Sequence, residues 1–128
     1  MNAKEKQTEF IKLHLKPFFK NRDYKNSNQT WWKDRGDFYN VINLQNFFCY
    51  IKDKIDFRFN LGIALKATLK DRTLKKVTHF DCVTHLGNGA FLPDSKNRKF
   101  GSNLGYEIKS ETDLDDFMIS FFNDFSNY

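Results

Sequence analysis

At 128 residues, 40% hydrophobic and 17% aromatic, the chain has the size and apolar content of a single domain spanning residues 1–128. A core of that size needs neither disulfides nor metal. The net charge is +5, which suits an acidic partner. Lysine supplies most of the positive charge and there is no arginine-rich run, which argues against specific readout of base edges.

No apolar run approaches the ~20 residues of a bilayer span, so no membrane partner is expected. The segment MNAKEKQTEF lacks the apolar stretch of a secretory signal. Cys49 and Cys82 do not make a disulfide framework. Together these point to a reduced, cytoplasmic protein.

Lys4 to Lys20 reads as a helix. Phe10, Ile11, Leu13, His14, Leu15, Phe18 and Phe19 form a broad apolar stripe, and Lys12, Lys16 and Lys20 recur on the opposite side. Glu5 and Glu9 precede the lysines at the spacing that supports a helix. Pro17 is expected to kink or shorten it. Asn21 to Asn28 is turn-prone, with Tyr24 a possible strand start. Gln29 to Lys33 reads as a short strand. Its Trp31 and Trp32 must face opposite ways, so one is expected in the core and the other outside. Asp34 to Asp37 is a hairpin turn with Gly36 at positive φ.

Phe38 to Lys66 organises the rest, as two antiparallel strands. In the second, Phe57, Phe59, Leu61, Ile63 and Leu65 alternate with Asp56, Arg58, Asn60, Gly62, Ala64 and Lys66, giving one buried face and one wet face. In the first, Ile42 and Leu44 join the core, while Tyr39, Val41, Asn43, Gln45 and Phe47 look outward. Polar side chains on the outer face either bond one another across strands or hydrogen-bond a ligand or a partner.

After a charged segment from Asp71 to Lys76, Val77 to Leu86 reads as a strand. Phe80, Cys82, Thr84 and Leu86 form one face, so Cys82 is expected inside. His79 and His85 share the other face, so the three cannot close on one metal. Phe91 to Asn103 is a basic loop carrying Lys96, Arg98 and Lys99, where loop-borne function can sit. Leu104 to Lys109 is the last strand. Ser110 with Asp113, or Thr112 with Asp115, caps a closing helix. Leu114, Phe117, Met118, Phe121, Phe122 and Phe125 form its apolar stripe.

The architecture expected is α+β: a two-layer fold with an antiparallel sheet of about five strands and both terminal helices on one face. The motifs Ile42-Asn43-Leu44-Gln45 and Phe57-x-x-Asn60-Leu61-Gly62, in that order and between helices, resemble the bacterial DUF4304 family. The likeness runs through most of the chain, including the closing helix. His85 stands where family members often carry arginine, and Tyr106 where they tend to carry tryptophan. The family implies no activity. Some small bacterial domains of this kind are immunity proteins beside toxin genes, and the resemblance suggests that role.

No nucleophile elbow, carboxylate pair, metal cluster or nucleotide loop can be argued, so the chain reads as non-enzymatic, without cofactor or metal. The expected function is a bacterial protein-binding module, with an immunity protein that neutralises a toxin as its concrete form. The alternative is a binder of small molecules or nucleic acid. The binding residues expected are Tyr39, Asn43, Gln45, Arg58, Asn60 and His85 on the sheet, and Lys96, Arg98 and Lys99 in the loop.

Overall fold

The computed structural model describes residues 2–47, 53–68, 82, 84–86, 100–101 and 105–126. Strands β1 (Lys25–Ser27), β2 (Thr30–Asp34), β3 (Phe38–Phe47), β4 (Lys54–Leu65), β5 (Thr84–Leu86) and β6 (Tyr106–Lys109) form one six-stranded sheet. All pairings are antiparallel, in the order β1-β2-β3-β4-β5, and β6 pairs the other end of β4. The longest ladder joins β3 to β4 from Phe38↔Leu65 to Phe47↔Asp56. The fold is α+β, with helices at both ends of the chain against one face of an antiparallel sheet. Among the described residues no helix is long and apolar enough to cross a membrane.

The β2–β3 hairpin closes on Gly36, whose φ of 98° lies in the left-handed region that a glycine enters without a Cβ penalty. Asp34 accepts the Gly36 N–H at 2.8 Å, and the Arg35 N–H donates to the Phe38 carbonyl at 2.8 Å. This is the turn expected from the Asp-Arg-Gly-Asp string.

The N-terminal helix is one rod in three parts: α1 (Ala3–Phe10), a π-helical turn (Ile11–Leu15) and α2 (Lys16–Lys20). Asn2 caps it through the Glu5 N–H at 2.8 Å. Pro17 does not end it: the helix runs on to Lys20. Proline lacks an N–H and its ring collides with the carbonyl four residues back. The wider turn just before Pro17, in which the Lys16 N–H reaches the Ile11 carbonyl, accommodates this within a continuous helix.

That turn inserts one residue into the helical repeat. Phe10, Leu15 and Phe19 are therefore the buried positions, spaced five and then four apart, and Leu13 points outward at 53% exposure. A regular α-helical stripe puts His14 where Leu15 sits; His14 is half-buried.

Helix α3 (Leu114–Ser126) is capped by Asp113, whose carboxylate accepts from the Asp115 and Asp116 N–H groups at 2.9 and 3.2 Å. The cap is thus Asp113 itself, one residue beyond the Thr112 alternative. Thr112 instead accepts the Lys109 N–H.

Phe117 and Phe121 of α3 meet Phe10 of α1 edge-on, with ring centroids 5.0 and 5.2 Å away. Beneath them lie Trp31, Ile42, Leu44, Phe57, Phe59, Leu61, Tyr106 and Ile108. The polar Gln7, 3% exposed, is tolerated in this layer because its amide donates to Asn46 at 2.6 Å.

The opposite face departs from expectation. Trp32 is not an outward aromatic. It is 5% exposed and packs with Val41 and Ala64 in a second small cluster, against which Tyr39 and Cys82 lie. Neighbouring strands supply enough apolar surface there to bury it. Cys82 is half-buried on this second cluster rather than in the main core. It precedes β5, so strand parity does not govern it.

Candidate binding face on the sheet

Two rows of side chains cross the outer face where β2, β3 and β4 run together. Register sets Thr30 opposite Asn43 and Asn43 opposite Asn60, and next to that row it sets Gln45 opposite Arg58. Period-two alternation puts all five on one side of the sheet. Asn60 Nδ2 donates to Gln45 Oε1 at 3.0 Å and to Asn43 Oδ1 at 3.3 Å. Asn43 Nδ2 donates in turn to Thr30 Oγ1 at 3.0 Å and faces the Gln29 carbonyl at 3.5 Å. Asparagine and glutamine are poor strand residues in isolation, and this amide chain across three strands is what they do here.

Arg58 stands at the end of that chain and takes no part in it. Its guanidinium lies 5.4 Å from the Phe47 ring centroid, within cation–π range. Its Nε is buried without a hydrogen-bond acceptor. The ion pairs among the described residues use Lys54, Lys66 and Lys109 as cations, and none uses Arg58. Gln29, Asn43, Gln45, Asn46, Arg58 and Asn60 line an open depression of about 600 Å³. Among the described residues this guanidinium has no carboxylate beside it, and it lines an open polar hollow.

Beyond Arg58 the same face carries a charge network on β4 and β6. Lys54 Nζ lies 3.1 Å from Glu107 and 3.6 Å from Asp56, and Lys109 Nζ lies 3.3 Å from Glu107. Asp56 Oδ1 is buried without a partner. Burial pushes the Asp56 carboxyl above its ordinary value, against the pull of Lys54 and with a further push from Glu107. Lys54 is raised, first by its hydrogen bond to Glu107.

At the far end, Lys66 pairs with Asp34 at 2.9 Å and its ammonium lies 5.0 Å from the Tyr39 ring. Asp34 is held below its ordinary value by the Gly36 N–H and then by Lys66.

Of the residues expected on this face, the fold therefore gathers Asn43, Gln45, Arg58 and Asn60. Tyr39 is six residues along β3 from Gln45, about 20 Å at strand rise, and belongs to the Trp32 cluster. His85 takes the register position opposite Gly62. Lys96, Arg98 and Lys99 lie outside the described residues. Thr30 and the Gln29 carbonyl were not anticipated. Their sequence neighbourhood marks a strand, but only the β2–β3 register brings them to Asn43.

Comparison with family models, with curated proteins and with solved structures finds no match for this chain.

Proposed function

We propose that this protein is a non-enzymatic binding module that docks another protein on the polar end of its sheet, as an immunity protein docks the toxin it neutralises. The observation that carries the reading is Arg58, a guanidinium 5.4 Å from the Phe47 ring centroid whose Nε has no acceptor among the described residues, in a hollow lined by amides. The net charge of +5 favours an acidic partner and speeds encounter with it. Kinship with DUF4304 and a cytoplasmic location belong to the same proposal. The first rests on the two strand motifs, the second on a pair of cysteines too few for a disulfide framework.

Affinity capture from the native host, with wild type and Arg58→Ala side by side, tests the reading. A stoichiometric protein partner that Arg58→Ala loses, with its melting curve unchanged, supports it. Nucleotide or RNA in place of a protein moves the function to the ligand-binding class.

A further inference from the structure

The amide chain on the outer face has a direction, and the Gln29 carbonyl sets it. A carbonyl can only accept, so the Asn43 side chain must present Nδ2 to it and Oδ1 to Asn60. Asn60 must then answer with Nδ2, which also bonds Gln45 Oε1. Every amide in the row is thereby oriented, and Gln45 Nε2 is left as a donor at the end of the chain. Register places Gln45 directly opposite Arg58, so the Gln45 amide and the Arg58 guanidinium, whose Nε has no acceptor among the described residues, line the same hollow. The Phe47 ring lies at cation–π distance from the guanidinium, 5.4 Å, and a planar guanidinium fork suits a planar ligand.

Resting on the binding-module reading above, we infer that this spot is a carboxylate subsite. It takes one aspartate or glutamate side chain of the protein partner, held by the Arg58 fork and the Gln45 amide. A planar monoanion matches the donors in shape and charge. A phosphate dianion does not, because the neighbouring groups on the same face are the Asn60 oxygen, an acceptor, and Asp56, two residues from Arg58. A phosphate backbone also asks for a row of cations, and the hollow presents one.

The test is a ¹H–¹⁵N titration of the full chain with N-acetyl-glutamate methylamide, whose only charge is the side-chain carboxylate. Its neutral glutamine counterpart and inorganic phosphate are the comparison arms. The expected result is a saturable shift of the Gln45 side-chain amide and the Arg58 guanidinium resonances with the glutamate probe alone. Arg58→Gln, checked for an otherwise unchanged spectrum, weakens it by about tenfold or more, the scale of a charged hydrogen bond. Arg58→Lys, which keeps the charge without the fork, recovers only part.

Absence of a saturable shift, an equal response to the neutral probe, or an undiminished response in Arg58→Gln overturns the subsite. A stronger response to phosphate also overturns it, in favour of nucleic acid. If capture still yields a partner that depends on Arg58, only the subsite has failed. If the probe binds as expected but no protein is captured, the module reading has failed and the subsite stands.

Discussion

Asn43 is the residue on which the outer face turns, because its side-chain hydrogen bonds link β2 to β4. Replacing it with aspartate keeps the shape and removes both donors, leaving a carboxylate against the Gln29 carbonyl. Asn43→Asp is expected to lower unfolding free energy by about 1–3 kcal/mol at neutral pH, the usual penalty for an unmet polar group. Urea denaturation reads this, and part of the loss returns at acid pH as the carboxyl protonates and regains a donor.

The native carboxyl of Asp56 is expected to show the same sense of pH dependence. Its folded pKa lies above the ordinary 3.8, so the folded state binds its proton more tightly than the unfolded chain does. The stabilisation tied to that proton is fully present below 3.8 and is lost as pH rises through the raised value. Asp56→Asn is therefore expected to match wild type near pH 3 and to melt higher at pH 7. Thermal melts at the two pH values check it, and a lower melting temperature at pH 7 means that the Lys54 pair outweighs burial. Alternation alone made Asn43, Gln45, Arg58 and Asn60 legible as one group. It did not reveal that Tyr39 lies at the other end of the face, or that Trp32 is buried, since both follow from what neighbouring strands contribute.

Elements were read well where periodicity is strict. The Phe57–Leu65 alternation and the Phe117–Phe121 stripe predicted β4 and α3, and their aromatic side chains do meet, with Phe59 and Phe121 5.2 Å apart, but Ile63 and Leu65, expected in the core, are 39% and 37% exposed. The N-terminal helix was legible as a helix but not in its facing. A single π turn shifts the stripe by one residue, and only Pro17 hinted at irregularity.

The shift separates two leucines that look equivalent in the sequence. Leu15 is fully buried and Leu13 is 53% exposed. Leu15→Ala is expected to cost about 2–5 kcal/mol, as buried leucines do. Leu13→Ala should change stability by no more than about 0.5 kcal/mol. Chemical denaturation of the pair decides the facing, and equal losses would return the segment to a regular α-helix.

At the scale of the whole molecule, helices cover one face of the sheet and leave a divided opposite face. The Trp32 cluster closes one part, the charge network of Lys54, Asp56, Glu107 and Lys109 occupies another, and the Arg58 hollow between them is open. The two-layer plan followed from the order helix, strands, helix. The division of the outer face did not, because it depends on which strands stand side by side.

A single anchoring charge pair with polar surroundings makes a definite prediction for ionic strength. Raising salt from about 0.05 to 0.2 M should weaken partner binding by no more than about tenfold, as screening of a few charges does. Release of counterions from a phosphate backbone over the same range costs roughly 10³-fold or more when six or more phosphates are contacted.

The most direct test of the sheet-face account compares two charge reversals of equal size, Arg58→Glu in the hollow and Lys12→Glu on the exposed side of the N-terminal helix. Both lower net charge by the same amount, so general electrostatic attraction cannot separate them. The partner's affinity, measured calorimetrically, is expected to fall by about a hundredfold for Arg58→Glu, in the range for breaking an interfacial charge pair, and only severalfold for Lys12→Glu. Equal losses, or a larger loss at Lys12, would contradict the account and take the interface off the sheet.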